Sequence, residues 1–322
     1  MNFKNFFKTI RNVHKKSKKN SIFIFFDVIY CGLKYQAGYM DYELFEMYNM
    51  NRFERSTVIT RGINNEIINK YNDPQYMKIF NDKIKFNERF NEYLKRDWLE
   101  LTGDNLDEFE KFCEKHLEFI AKPTKESCGK GVELITVGKQ DCKKIYKKLF
   151  KTKRILVEEV VKQCSELSKL HPTSINTLRV VTLKGMVVTA LLRIGNNGNH
   201  VDNFNHEGLC VPIDIEDGKI KYPAIDKKGN LYERHPSTEE EIIGFVVPRW
   251  DEVKEFCERA ALEVPQVGYV GWDVCVTNDD ICFIEANEFP GHDLYGLPPH
   301  RENNMGLLPK FKEAMKEIEK WK

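Results

Sequence analysis

From about residue 41 to residue 101, apolar positions recur at helical spacing among charges and aromatics, through DYELFEMYNMNRFERSTVITRGINNEIINKYNDP and then NDKIKFNERFNEYLKRDWLEL. That period predicts helices. Asp82 is placed to cap the second of them, and Phe86, Phe90, Tyr93 and Leu94 keep one apolar face. Residues 105–115 read as a further short helix. The period then changes. Residues 119–123 read as a strand closed by Pro123, a polar loop follows, and residues 132–137 form the next strand. A helix over 139–150 leads to a strand over 155–161 and a linker. The second half is strand-rich: 178–183, 187–194, 209–215, 271–277 and 281–286, with hairpin turns expected at Gly185 and at Asn278-Asp279-Asp280. Residues 250–263 have helical period, with Val253, Phe256, Cys257, Ala260 and Ala261 on one side, and a helix over 310–321 closes the chain. No internal repeat or low-complexity linker interrupts this order. It predicts three regions, 1–100 mainly helical, 101–160 a small α/β lobe and 161–322 a larger lobe with antiparallel strands. The fold class is therefore α+β, with a cleft between lobes.

Composition limits the function classes. A chain of 322 residues with 41% hydrophobic content can bury a sizeable core and is not mostly disordered. Fifty basic and 49 acidic residues leave a formal charge of +1, so nothing global favours nucleic acid or a membrane. Nine cysteines, none in a C-x-x-C pair, indicate neither a zinc site nor a disulfide framework; reduced thiols in a cytoplasm are the plain reading.

The first twenty residues are a local exception. They carry Lys4, Lys8, Arg11, Lys15, Lys16, Lys18 and Lys19 and no acid, while Phe3, Phe6, Phe7, Ile10 and Val13 fall near helical spacing. Such a basic amphipathic segment can rest on an anionic membrane surface. Packing its aromatic face on the body of the protein is the default reading. The apolar run 22–26 is short, is interrupted by Asp27 and is followed by no small-residue cleavage site, which argues against a signal peptide. No stretch approaches the length of a membrane span. A cytoplasmic protein is expected, with peripheral membrane contact as the alternative.

The chemistry is concentrated late in the chain. GWDVCVTNDDICFIEAN reads as a hairpin with Asp273 on one strand and Glu285 on the next; Glu285 and Asn287, two apart, share a face. Two carboxylates and an amide oxygen suit Mg²⁺, which keeps waters and takes further ligands from phosphates. A surface hairpin with incidental acids fits the same residues. Upstream, KPTKESCGKGVELI sets Ser127, Gly129 and Gly131 between two strands with Lys125 and Lys130 among them, a loop whose backbone N–H groups can approach a polyphosphate. It lacks the following helix and ending of a Walker motif. In ILVEEVV, Glu158 and Glu159 end an alternating strand that could read an adenine edge and hold ribose hydroxyls, or could simply be surface acids.

The series Lys83 at a helix start, Lys122-Pro123, glycine loop, Glu-Glu strand, Asp273 and Glu285-x-Asn287 resembles the ATP-grasp superfamily from about residue 82 to the end. SINTLRVVTL, LLRIGNNGNHVDNFNHEGLCVPID, HPSTEEEIIGFVVPRW and YVGWDV look like its sugar-transfer-associated branch, found with bacterial surface-polysaccharide genes, as do DYELFEMYNM and FNDKIKFNERF. The resemblance implies an ATP-grasp fold: a helical N-terminal lobe and two α/β lobes that clasp ATP. It implies nucleotide contacts from Lys83, Lys122, Ser127, Gly129, Lys130 and Gly131, and from Glu158, Glu159, Val161 and Glu166 around the adenine and ribose. Asp273, Glu285 and Asn287 would hold one or two Mg²⁺ ions, with Mn²⁺ as a substitute. Arg193 would meet the transferring phosphate, and Arg179 with Asn176 would meet substrate or phosphate. Asp202, Asn203 and His206 would bind the second substrate; His235-Pro236 reads as a turn.

The activity so implied is that of a carboxylate–amine ligase acting in surface-polysaccharide or capsule biosynthesis or sugar modification, with a sugar acid or nucleotide sugar among its substrates and no nucleic-acid partner. Two other readings stay open: a phosphotransferase on a small molecule or sugar, and a non-catalytic nucleotide-binding regulator of a glycosylation complex.

Overall fold

The structure, a computed structural model, describes residues 3–125, 130–138, 141–196 and 208–320. They fall into two units, Met1–Asn72 with Phe289–Lys322, and Asp73–Glu288. The breaks read from sequence near 100 and 160 both lie inside the second unit.

In the first unit, α1 (Phe3–Ser17) and α2 (Ser21–Tyr35) form a helical pair, followed by α3 (Tyr39–Leu44), α4 (Arg52–Arg55) and α5 (Arg61–Tyr71). The turn between α1 and α2 ends at Asn20, whose side chain accepts the Ile22 N–H and caps α2. Helix α1 buries Phe6, Thr9, Ile10 and Val13 but leaves Phe3 and Phe7 exposed, so only part of its expected apolar face packs on the protein. Asp27, which breaks the apolar run of α2, has a structural reason. Its carboxylate takes two hydrogen bonds from the Arg55 guanidinium, both 2.7 Å, and one from the Tyr42 hydroxyl at 2.7 Å. A nearly buried acid is tolerable because each oxygen is met by a donor.

The second unit begins with α6 (Pro74–Asn81), α7 (Lys83–Arg89) and α8 (Asn91–Leu94). Asp82 ends α6 and caps α7 by accepting the Ile84 N–H at 3.1 Å. A four-stranded antiparallel sheet follows, built from β1 (Trp98–Glu100), β2 (Glu118–Lys122), β3 (Glu133–Thr136) and β4 (Leu156–Glu159) in the order β1-β4-β2-β3, with helices α9 (Leu106–Lys115) and α10 (Cys142–Lys151). Phe109, Phe119, Ile145, Leu149 and Val157 form its core. Helix α11 (Ser165–Leu170) leads into a larger sheet: β5 (Leu178–Leu183), β6 (Met186–Ile194), β7 (Leu209–Ile213), β8 (Ala224–Ile225), β9 (Leu231–Tyr232), then α12 (Trp250–Ala261), β10 (Tyr269–Val276) and β11 (Ile281–Asn287). Its order among the described residues is β11-β10-β5-β6-β7-β8-β9, every pairing antiparallel. Helix α13 (Leu308–Lys320) belongs to the first unit.

The β10–β11 hairpin carries a bulge that decides which side chains go where. Asp273 pairs with Glu285 but Val274 pairs with Phe283, so Ile284 is an extra residue. Strict alternation would put Phe283, Glu285 and Asn287 on one face. The bulge shifts the phase, so Phe283 joins Trp272 and Val274 on the core face and Glu285 and Asn287 join Asp273 on the other. On the core face, Phe283 stacks on Trp272 (centroids 4.7 Å apart) and meets Phe256 of α12 at 4.7 Å, while Phe90 sits edge-on to Trp272 at 5.4 Å. Phe86 of α7 and Phe90, which caps its C-terminal end, thus anchor that helix on the hairpin, and Lys83 is held at its first turn.

Phe283 is fully buried in this aromatic cluster. Phe283→Ala is expected to cost about 3–5 kcal/mol of unfolding free energy, read from the urea midpoint. A loss below about 1 kcal/mol would mean that the cluster does not fix the hairpin.

Candidate functional site

The face of the large sheet opposite the aromatic core collects charge. Asp273 lies directly across from Arg179 on β5, and Arg193 on β6 is one strand further. The Arg179 guanidinium grips the Asp273 carboxylate with two bonds, Nε to Oδ1 at 2.5 Å and Nη2 to Oδ2 at 2.9 Å. Arg193 Nη1 adds a third at 3.1 Å. Asp273 is 3% exposed. Burial alone would raise its pKa, but the charges of Arg179 and Arg193 and the hydrogen bonds from Arg179 outweigh burial and lower it. The acid is held as a carboxylate.

Glu285, paired with Asp273 in register, is less enclosed: its side chain is one-third exposed and Lys83 Nζ lies 4.0 Å from Oε2. Asn287 lies opposite Gly271, which has no side chain to fill the space. Its amide nitrogen is buried and has no partner among the described residues, as is Arg193 Nε. Two polar atoms with unmet hydrogen-bonding capacity therefore flank the carboxylates.

A second charged cluster joins the small sheet to this face. Glu158 on β4 is 4% exposed and takes Lys122 Nζ at 2.5 Å, Asn87 Nδ2 at 2.8 Å and Arg96 Nη2 at 3.2 Å. Burial would raise its pKa; the charges of Arg96 and Lys122, with bonds from Asn87 and Lys122, hold it at about 2. Arg96 also donates to the Phe283 and Ile284 carbonyls, the residues at the bulge. It ties the four-stranded sheet to the hairpin. Burial lowers the Lys122 pKa, and the charge and hydrogen bond of Glu158 oppose that shift. Lys83, Asn87, Lys122, Lys125, Glu285 and Asn287 line one cleft.

The structure thus gathers Lys83, Lys122, Arg179, Arg193, Asp273, Glu285 and Asn287. Other expected positions differ. Glu158 does not face an open ribose site: its oxygens are committed to Lys122, Asn87 and Arg96. Glu159 points elsewhere, with Oε2 on the Asp97 N–H at 3.1 Å. Val161 is half-buried beyond β4. Glu166 is exposed next to Ser165, whose N–H binds Asn278 at the hairpin turn, at the opposite end of the hairpin from Asn287. Asn176 is fully buried, donating to the Leu167 and His171 carbonyls and accepting the Gly195 N–H, so it braces a loop and has no surface for a substrate. His235 is likewise buried, with Nε2 on the Gly195 carbonyl, as suits a turn. Lys130 is exposed. Gly131 has φ +75° and packs where a Cβ would lie 3.0 Å from Pro123, which explains the glycine. Ser127, Gly129, Asp202, Asn203 and His206 lie outside the described residues.

Sequence reasoning missed Asn87 and Arg96. Asn87 is four residues after Lys83 on the same helix, a spacing that puts both on one side. A further grouping, Asp97, His116 and Glu159, has its ligand-type atoms within 4.8 Å of one another, with Lys115 also bonded to Asp97.

Because the Glu158 pKa is lower folded than its ordinary 4.5, its contribution to stability is present above about 4.5 and is lost as pH falls through about 2. Glu158→Gln is expected to destabilise by about 3 kcal/mol at pH 7. The gap between variant and parent urea midpoints should close between pH 4.5 and 2. A gap constant over that range would show that Glu158 is not held ionised by its partners.

Comparison with known proteins adds the family. The description Sugar-transfer associated ATP-grasp matches residues 62–313. No curated protein matches the sequence. Among solved structures the chain is similar to the ATP-grasp ligase PsnB complexed with minimal precursor (14% identity, 76% of this chain and 63% of that one, TM-score 0.45). It is also similar to D-alanine–D-alanine ligase from Bacillus anthracis (15%, 74% and 62%, TM-score 0.40) and to D-cycloserine synthetase DcsG (10%, 74% and 71%, TM-score 0.42). The chain spans less than two thirds of the length of PsnB and of the alanine ligase. The family match extends over most of the sequence, through both sheets and the charged face between them: the chain belongs to the sugar-transfer associated ATP-grasp family.

Proposed function

We propose that this protein is an ATP- and Mg²⁺-dependent ligase that activates a carboxylate as an acyl phosphate and joins it to an amine. The observation that carries the proposal is the shared face of Asp273, Glu285 and Asn287 with Arg179 and Arg193 beside it. The donor set fits a hard divalent cation: carboxylate and amide oxygens, with no thiolate or imidazole among them. Glu285 is the most available ligand, being one-third exposed and met by Lys83 only at 4.0 Å. Asp273 already accepts three hydrogen bonds from Arg179 and Arg193, so it has little acceptor capacity left for a cation and would be the minor ligand of the three. The unpaired Asn287 amide and Arg193 Nε fit a cleft completed by a ligand.

In this reading Mg²⁺ supplies charge neutralisation on the nucleotide phosphates. Arg193 Nε donates to a phosphoryl oxygen and Arg179 keeps Asp273 ionised and aimed. Lys83 and Lys122 add positive charge from the other side of the cleft, and Glu158 fixes Lys122. A carboxylate oxygen of the substrate forms a bond to the γ-phosphorus as the bond to ADP breaks. The amine then forms a bond to the acyl carbon, phosphate leaves, and the amine gives up a proton to solvent. No protein nucleophile is required, so the catalytic contribution is orientation and preorganised charge. The family's association with sugar transfer supports a sugar acid or nucleotide sugar as one substrate, in polysaccharide or capsule biosynthesis.

ADP release should require Mg²⁺ or Mn²⁺ and a carboxylate, and hydroxylamine in place of the amine should trap a hydroxamate. A stable phosphorylated product in ³¹P NMR with no amine present would instead indicate a phosphotransferase, and nucleotide binding without ADP release across a panel of sugar acids, nucleotide sugars and amino acids would indicate a regulator. Glu285→Gln is expected to lower ADP release on the order of 10²–10³-fold. Its thermal midpoint should stay close to the parent's, since Glu285 is partly exposed. Unchanged turnover in that variant would remove Glu285 from the site.

A further inference from the structure

Helix α2 has a face that the first unit does not use. Ile24, Val28, Cys31 and Tyr35 are buried at helical spacing. Ile22, Phe26, Ile29 and Leu33 repeat on another side at the same spacing, with Phe23 beside them. Leu33 is 84% exposed, Ile22 68% and Phe26 64%. Helix α1 adds Phe3 and Phe7, one turn apart and also exposed. Edge-to-face contacts from Phe7 to Phe6, Phe6 to Phe25 and Phe25 to Phe26, at 5.7, 5.7 and 5.3 Å, link the two exposed sets through the buried Phe6 ring. A contiguous apolar stripe along a whole helix marks an interaction surface.

Charge identifies the occupant. The charged residues of α1 are all basic, and Phe3, Phe7 and Arg11 follow one line of the helix. Lys4, Lys8, Arg11, Lys15 and Lys16 are exposed, and Lys18 follows at the turn. Lys19 is engaged on the Tyr48 carbonyl. The acid on α2, Asp27, is neutralised by Arg55, and Glu43 of α3 accepts the Asn12 amide. A second copy of the chain would set one basic face against another. Anionic lipid headgroups meet the ammoniums while the acyl boundary takes the phenylalanines. At 15 residues α2 is roughly 22 Å long, short of the ~30 Å hydrocarbon core, and no helix of the described residues is long and apolar enough to cross a membrane.

We propose that the α1–α2 face docks on an anionic phospholipid bilayer, both helices lying along its surface. This stands independently of the chemistry in the second unit. The test is co-sedimentation of the full chain with vesicles of phosphatidylglycerol and phosphatidylcholine against phosphatidylcholine alone. The expected result is pelleting with the anionic vesicles only, falling at least about tenfold when ionic strength is raised well above physiological. Phe26→Ser with Leu33→Ser, and separately Lys4→Glu with Lys8→Glu, should each abolish it while helicity and thermal midpoint stay unchanged, because all four side chains are exposed. No pelleting, equal pelleting on neutral vesicles, or folded variants that still bind would overturn the proposal. So would a dimer of the parent chain that Phe26→Ser with Leu33→Ser dissociates, since the stripe would then be a protein interface.

Discussion

A carboxylate with 3% exposure sits at the centre of the second unit, and it can exist there only because two guanidiniums reach it. Removing an unpaired charge from water costs several kcal/mol, more than any single packing contact returns. Asp273 therefore obliges β5 and β6 to present Arg179 and Arg193 on the same face, in a fixed register. That register in turn fixes where Glu285 and Asn287 can stand. The apolar face behind them, with Trp272 and Phe283, holds the strands still while the polar face carries the charge.

The bulge at Ile284 reconciles these two demands. It lets β11 send Phe283 into the core and Glu285 to the cleft, at the expense of regular pairing. Carbonyls at the bulge are taken up by Arg96, which also grips Glu158 on the small sheet. One guanidinium thereby couples backbone irregularity in one sheet to the buried ion pair of the other. Lys122 is positioned by the same carboxylate.

Much of this was legible in the sequence for local reasons. Gly185 between two apolar runs, Asn278-Asp279-Asp280 before ICFIEAN, and Asp82 before Lys83 each carry turn or cap chemistry within a few residues. The order of lysines, acids and amide carried the family. What sequence could not convey was long-range partnership. Glu158 and Glu159 are adjacent and chemically alike, yet one is buried among Lys122, Asn87 and Arg96 and the other turns to the Asp97 backbone. Asn176 has the composition of a ligand-binding residue and the bonding of a loop brace, because its three partners come from Leu167, His171 and Gly195. The grouping of residues 289–322 with the N-terminal helices is equally invisible to periodicity, which reports neighbours along the chain and not the segment to which it returns.

The central claim is that Asp273, Glu285 and Asn287 hold a divalent cation on a nucleotide. The most direct test is a crystal structure grown with Mn²⁺ and a non-hydrolysable ATP analogue, read by anomalous scattering. An anomalous peak in contact with oxygens of Glu285 and Asn287, beside Asp273 and bridging to the analogue's phosphates, is the predicted result. A peak at Asp97, His116 and Glu159 instead, or an analogue bound away from Lys83 and Lys122, would contradict it.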